Sequence, residues 1–245
     1  MNFIKPFATV AFALTLVSCG DNGSGANDSG SNPFDSLGGK VWYVIGDSFS
    51  RGDIKANYPY LIGNRTGMSV QNIAVNGSTL SMYGESSAKQ TFTHPQGLLY
   101  TTDFSKADYI TIYYGINDSY LEVPIGSIED TVTTTFYGAF NTTLEYLSKH
   151  YPKAKIGLIV SNACTTRDYP DATVAIAEKW GLPYLDLDGG VNCPTMLLSS
   201  SRNPASEEEK QEVLEQQRIS ETNYHPNEYA HQLESACIEQ WLRSW

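Results

Sequence analysis

A length of 245 residues suits one full-sized domain with short appendages, and an apolar fraction of 41% is enough to bury a large core. The formal net charge of −11 argues against a nucleic-acid partner, because phosphate backbones require clustered Lys and Arg. The acidic balance is typical of an exported domain with a solvated surface, and it does not identify a substrate.

Residues 1–18 have the pattern of a lipoprotein signal peptide. Lys5 precedes an apolar run over residues 7–17, which is too short to span a bilayer comfortably. Leu16-Val17-Ser18-Cys19 then resembles a bacterial lipobox, in which Cys19 receives a diacylglyceryl group and becomes the first mature residue. Two acyl chains give stable anchoring. We therefore expect an exported protein anchored by lipid in a bacterial membrane, at the outer membrane or cell surface. An ordinary secretory signal is the alternative.

Residues 19–39 are rich in Gly, Ser, Asn and Asp and predict a flexible tether. A single domain follows over residues 40–245, in which strand-like and helical runs alternate. Strands are predicted at residues 41–45, 70–75, 109–114, 156–160 and 183–187. Helices are predicted at residues 58–65, 128–150, 172–180 and 226–245. This alternation implies right-handed βαβ crossovers and a three-layer α/β/α sandwich with a mainly parallel five-stranded sheet.

Three cysteines remain after Cys19, so a monomer can form at most one disulfide. Export would permit that bond. Cys164 and Cys193 each follow a predicted strand at the same edge of the sheet, and we expect them to pair. Cys237 lies in an apolar helical pattern and is expected to be a small buried side chain. The sequence has no C-x-x-C motif or His/Cys cluster, so no metal site is expected.

Residues that carry chemistry should come directly after strands, because ligand sites of such sheets lie at the carboxyl ends of the strands. Three polar segments follow the first three predicted strands, and a fourth opens the last predicted helix. A serine nucleophile needs a base within hydrogen-bond reach and donors for an oxyanion. A histidine can be that base, and a glycine N–H or an asparagine amide can be a donor. The segments are Gly46-Asp47-Ser48, Asn76-Gly77, Gly115-Ile116-Asn117-Asp118 and His225-Pro226-Asn227.

In this order, the four segments resemble the motif blocks of the SGNH (GDSL) hydrolase family. The resemblance spans about residues 40–245, and it implies a flavodoxin-like sandwich and ester hydrolysis without a metal or organic cofactor. It also implies that Ser48 is the nucleophile and His225 its base. The implied oxyanion hole consists of the backbone N–H groups of Ser48 and Gly77 and the side chain of Asn117. The Gly-x-Ser-x-Gly elbow of the α/β-hydrolases is absent from the sequence.

One position departs from the family pattern. The family usually has an Asp three residues before the histidine, where this chain has Thr222. That acid orients the imidazole and stabilises the imidazolium. Three readings are open: a dyad in which Thr222 or a backbone carbonyl holds the ring, a substitute carboxylate from Glu221 or Asp188, or a weakly active or inactive protein.

The resemblance predicts a serine esterase that forms an acyl-enzyme. Within that class we favour deacylation of a carbohydrate, such as removal of O-acetyl groups from a glycan. A surface anchor would hold the enzyme where polymers arrive, and the 16 tyrosines and 4 tryptophans offer stacking surface for sugar rings. The alternatives are a lipase or acylhydrolase acting on small acyl esters, and a glycan-binding lipoprotein of the same fold that has lost the chemistry.

Overall fold

Five parallel strands form the central layer of the fold. The computed structural model describes residues 36–51, 56–84, 89–188, 193, 206–220 and 222–245, all within the unit Ser31–Trp245. The strands are β1 (Val41–Gly46), β2 (Ser69–Asn72), β3 (Tyr109–Tyr113), β4 (Lys155–Val160) and β5 (Tyr184–Asp186). They lie in the order β2-β1-β3-β4-β5, and every neighbouring pair is parallel. The predicted five-stranded parallel sheet is therefore confirmed.

This strand order creates a crevice beside β1. The chain passes from β1 to β2 on one side and then crosses to β3 on the other side of β1. Loops that leave the carboxyl ends of β1 and β3 therefore diverge. Ligands of doubly wound sheets bind in the crevice at such a switch point.

Helices cover both faces of the sheet, as the predicted three-layer sandwich requires. Ile112 of β3 packs with Phe140 and Ile176 on one face, whereas its neighbour Tyr113 packs with Ile62 and Ile238 on the other. Successive strand residues point to opposite faces, so a strand that is covered on both sides is apolar throughout. The helices of the described residues are α1 (Ser48–Arg51), α2 (Tyr58–Thr66), α3 (Leu98–Thr101), α4 (Ile116–Tyr120), α5 (Phe136–His150), α6 (Asp168–Trp180), α7 (Glu207–Gln217) and α8 (Glu228–Arg243). In the part of the chain that the structure describes, no helix combines the length and apolarity needed to cross a membrane.

Helix α5 begins later than the predicted helix over residues 128–150. Thr135 caps it by accepting a hydrogen bond from Gly138 N–H at 3.2 Å. Before the cap, the Asp130 carboxylate accepts from Ser127 N–H and from the Thr135 hydroxyl, each at 3.0 Å. These local hydrogen bonds compete with helix formation. Val132, which the pattern assigned to the apolar helix face, is 56% exposed.

The disulfide joins Cys193 to Cys237, with a Cα–Cα distance of 5.6 Å. The predicted pairing of Cys164 with Cys193 is therefore wrong, and so is the prediction that Cys237 is only a small buried side chain. Cys164 packs in the apolar cluster on the α5 and α6 face, whereas Cys193 belongs to the cluster on the α2 and α8 face. The sheet separates the two, and Cys164 remains a buried thiol.

Candidate active site

Ser48 stands at the carboxyl end of β1, in a tight turn. Gly46 ends β1 and α1 begins at Ser48. The Asp47 carboxyl group accepts a hydrogen bond from Phe49 N–H at 2.9 Å. A Cβ atom at Gly46 would lie 2.8 Å from the Tyr113 carbonyl oxygen, so glycine permits the close approach of this turn to β3. Asp47 and Phe49 are buried while Ser48 is half-buried, which leaves its hydroxyl within reach of a ligand.

His225 meets Ser48 from the other end of the domain. The strands β6 (Arg218–Ser220) and β7 (Asn223–Pro226) form an antiparallel hairpin, and His225 lies on β7. Its Nε2 atom is 2.8 Å from Ser48 Oγ, across 177 residues of sequence. The Phe49 ring packs against the imidazole with a centroid distance of 5.2 Å. The structure thus brings the first and last motifs together at the spacing of a nucleophile and its base.

Asn227 anchors the segment that carries His225. Its Nδ2 group donates to the carbonyl oxygens of Gln216 at 2.7 Å and Arg218 at 3.1 Å. Its Oδ1 accepts from Ala230 N–H at 3.0 Å and caps the N-terminus of α8. One side chain therefore ties α7, the hairpin and α8 together around the histidine.

The second ring nitrogen of His225 faces Asn223, a residue that the motif pattern did not predict. The Asn223 Oδ1 atom lies 2.7 Å from His225 Nδ1 and accepts from the His225 backbone N–H at 3.2 Å. The second contact is an Asx turn, in which a side-chain oxygen accepts from the N–H two residues later. An Asn two residues before the histidine was the available sequence signal.

Of the predicted orienting residues, the structure describes Thr222 and Asp188. Among the described residues, Thr222 lines the cavity but makes no hydrogen bond to the imidazole, and the structure gives the Nδ1 position to Asn223. Asp188 is buried just after β5, with 2% exposure. Glu221 lies outside the described residues.

The predicted oxyanion donors line the same cavity as Ser48 and His225. Its volume is about 850 Å³. Gly77 has a φ of 71°, a left-handed conformation that favours glycine. Asn117 donates from Nδ2 to the Ser78 carbonyl at 2.9 Å. An amide nitrogen carries two hydrogens, so one holds the Gly77 loop while the other remains for an oxygen in the cavity.

Asp118, the last residue of the third motif, holds the loop behind the donors. Its carboxyl oxygens accept from Leu80 N–H at 3.1 Å and Ser81 N–H at 3.0 Å. The side chain has no solvent exposure, and this burial raises the pKa of Asp118. The residue thus fixes the backbone that follows Gly77.

Asp47 is a second buried carboxyl group close to the nucleophile. Burial, together with the charges of Asp118 and Glu234, raises the pKa of Asp47 to about 8. The carboxyl group is therefore largely protonated at neutral pH and adds little negative charge behind Ser48. Within the described ranges, no cluster of three or more His, Cys, Asp or Glu side chains could hold a metal ion.

The mouth of the cavity exposes large aromatic and apolar side chains. Tyr120, from the end of α4, is 75% exposed, and Tyr224, next to His225 on β7, is 54% exposed. Ile219 of β6 is 48% exposed at the same mouth. The Arg218 guanidinium lies 5.5 Å from the centroid of the Tyr224 ring. The entrance therefore offers flat apolar surface directly beside the Ser48–His225 pair.

Several solved structures share this fold. A protein from Lactobacillus plantarum is 21% identical, and the match covers 85% of this chain and 98% of that chain with a TM-score of 0.61. The psychrotrophic esterase EstA from Pseudoalteromonas is 14% identical, with 84% and 98% covered and a TM-score of 0.53. An active-site mutant of a family two carbohydrate esterase from Clostridium thermocellum, in complex with cellohexaose, is 18% identical, with 84% and 63% covered and a TM-score of 0.54. At such identities these likenesses establish the fold alone.

Sequence comparison identifies the family. Curated proteins give no significant match to the chain. The profile of the GDSL-like Lipase/Acylhydrolase family, in contrast, matches residues 44–233, a segment that contains all four motifs. The chain therefore belongs to the GDSL-like lipase/acylhydrolase family and is an SGNH-type ester hydrolase.

Proposed function

We propose that this ester hydrolase uses Ser48 as its nucleophile and His225 as its general base. The observation that carries the proposal is the 2.8 Å contact between Ser48 Oγ and His225 Nε2. A serine hydroxyl is a weak nucleophile at neutral pH, and a base at this distance can remove its proton as it attacks. The contact lies at the β1/β3 switch point, where a sheet of this topology binds its ligand.

The reaction proceeds through an acyl-enzyme. Ser48 Oγ attacks the ester carbonyl carbon while its proton passes to His225 Nε2. The oxyanion accepts hydrogen bonds from the Ser48 and Gly77 backbone N–H groups and from Asn117 Nδ2. The intermediate then collapses: the C–O bond to the alcohol breaks, and the alcohol leaves with the proton from His225. A water molecule then gives a proton to His225 and attacks the acyl carbonyl carbon. The bond from that carbon to Ser48 Oγ breaks, Oγ takes the proton back from His225, and the carboxylic acid leaves.

The substrate that we propose is an acylated carbohydrate. Exposed Tyr120 and Tyr224 border the cavity, and aromatic faces of this kind stack on sugar rings. A cavity of about 850 Å³ is large enough to admit a sugar unit together with its acyl group. The fold likeness to the carbohydrate esterase in complex with cellohexaose supports the same class.

Small acyl esters are the second candidate substrate, because Ile116, Ala163 and Ile219 give the cavity an apolar lining. A panel of p-nitrophenyl esters of increasing acyl length, assayed beside acetylated polysaccharides, separates the two. A carbohydrate deacylase should release acetate from the polymers and lose activity steeply as the acyl chain lengthens. A preference for long acyl chains, with no acetate released from any glycan, would favour the second candidate.

Substitution of the nucleophile tests the mechanism. Ser48→Ala should lower kcat by several orders of magnitude and abolish labelling by a fluorophosphonate probe. Ser50→Ala is the matched control, since Ser50 is a buried hydroxyl of the same short helix that accepts from Tyr58 Oη at 3.0 Å. It should retain kcat per folded molecule. A Ser48→Ala enzyme with half the wild-type rate would show that another group is the nucleophile.

We also propose that the protein is exported and held on a bacterial membrane by a lipid on Cys19. The support is the lipobox-like Leu16-Val17-Ser18-Cys19 after an apolar run, all of it outside the described residues. Cys19→Ser should move the protein from the membrane fraction to the soluble exported fraction with its esterase activity intact. Unchanged membrane fractionation would contradict the anchor.

A further inference from the structure

We propose that Asn223 takes the place of the missing acid as the positioning residue for His225. This inference rests on the proposed catalytic role of the Ser48–His225 pair. The two residues lie at alternate positions of β7, so their side chains project to the same side of the strand. The usual acid position, Thr222, lies just before β7 begins.

The backbone decides which atom of the Asn223 amide faces the ring. The His225 backbone N–H lies 3.2 Å from that atom and can only donate. An amide NH₂ at this place would put two donors against each other. The atom is therefore the oxygen Oδ1, which has lone pairs and no hydrogen.

The same oxygen determines where the proton sits on the imidazole. Oδ1 lies 2.7 Å from His225 Nδ1, a hydrogen-bond distance that requires Nδ1 to carry the hydrogen. In a neutral ring, the lone pair then belongs to Nε2, which faces Ser48 Oγ at 2.8 Å. Asn223 thus selects the tautomer in which His225 can accept the serine proton.

An amide positions the ring without supplying a charge. A carboxylate at this place would stabilise the imidazolium and raise the pKa of His225, whereas a neutral oxygen adds no such charge. The acidic limb of the activity profile should therefore lie lower than it would with an acid next to Nδ1.

Titratable groups on the elements packed against β7 also influence the position of the acidic limb. These groups are the same in every variant in which only residue 223 is substituted. Glu221, which falls between β6 and β7 in the sequence, lies outside the described residues. The groups are Tyr224 on β7, Arg218 on β6, Asp47 and Arg51 at α1, and, on α8, Glu228, Tyr229, His231, Glu234, Glu239 and Arg243.

Two substitutions in the full chain test the inference. Asn223→Asp keeps the acceptor and adds a charge, so the acidic limb of kcat/KM for p-nitrophenyl acetate should move up by about one pH unit. Asn223→Leu keeps the approximate volume but removes the acceptor, so kcat should fall by about 10- to 100-fold in molecules that remain folded. Asn64→Asp, at an exposed position of α2 outside the cavity lining, adds the same net charge and should leave the profile in place.

A residue that only stabilises the turn behaves differently. Asp also forms Asx turns, so Asn223→Asp would then leave the acidic limb where it is. Asn223→Leu would lower the melting temperature but preserve kcat per folded molecule. Either result would overturn the inference.

Imidazole ¹⁵N NMR gives a readout that does not depend on catalysis. His225, assigned by the signal lost in His225→Gln, should carry its proton on Nδ1 in the wild type and in Ser48→Ala. In Asn223→Leu, the Nε2–H form should gain population. An Nε2–H wild-type ring would refute the role of Asn223 even in an active enzyme. An Nδ1–H ring in a protein that no fluorophosphonate labels would uphold it and refute the proposed function instead.

Discussion

Asn117 holds the Ser78 carbonyl and is the proposed oxyanion donor, and one substitution tests both roles by two different measurements. Its Nδ2 group donates one hydrogen to the Ser78 carbonyl oxygen at 2.9 Å, and the second hydrogen of that amide is the proposed donor to the oxyanion. Asn117→Ala removes both. The first loss affects the folded state, whereas the second affects only a transition state that carries an oxyanion.

The two losses differ in size. A hydrogen bond of the first kind contributes about 1 kcal/mol to stability. In a domain of this size, that loss lowers the melting temperature by about 2–4 °C. An oxyanion donor contributes about 2.7–4 kcal/mol to the transition state, or about 10²- to 10³-fold in kcat. KM should change little, because the ground-state ester carbonyl gains little from the donor.

Asn141→Ala provides the matched control. Asn141 is a buried amide on α5, outside the cavity lining, whose Nδ2 donates to the Ile128 and Asp130 carbonyls, each at 2.8 Å. Its loss should reduce the melting temperature at least as much as Asn117→Ala while leaving kcat unchanged. Steady-state kinetics and thermal unfolding are measured on one preparation of each variant. If kcat per folded molecule falls less than about 10-fold in Asn117→Ala, the oxyanion role is refuted.

Two further predictions concern stability. The Cys193–Cys237 bond closes a loop of 44 residues, so Cys237→Ser should lower the free energy of unfolding by about 4 kcal/mol by the chain-entropy estimate. Cys164→Ser should lower it by less. If chemical denaturation ranks the two variants the other way, the disulfide is contradicted. The pKa of Asp47 is raised by burial to about 8, so the folded protein keeps this proton while the unfolded chain loses it from about pH 4. The contribution of Asp47 to the free energy of unfolding should therefore fall as pH rises from 4 to 8, by at most about 1.4 kcal/mol per pH unit. Asp47→Asn keeps an oxygen for Phe49 N–H and should reduce the slope, and equal slopes in the two proteins would refute this assignment.

Much of the architecture could be predicted from local pattern. The strand cores at β1, β3 and β4 are apolar runs of a length and composition that suit buried parallel strands. The first three motifs follow strands, so a parallel sheet places them at one edge whatever the details of packing. Helix α5 is an exception. The helical spacing of apolar residues extends N-terminal of residue 135, but the helix begins only at Phe136 because side-chain hydrogen bonds of Asp130 and Thr135 replace the helical ones.

The sequence by itself determined the residue types, their order and their positions after strands, which is enough to identify Ser48, Gly77, Asn117 and His225 as candidates. The tertiary structure alone decided which cysteines pair, because pairing depends on the face of the sheet that each loop covers. It also decided the partner of His225 Nδ1. Hydrogen-bond geometry depends on distances of about 3 Å between atoms, and such distances follow from the register of a folded strand and not from spacing along the chain.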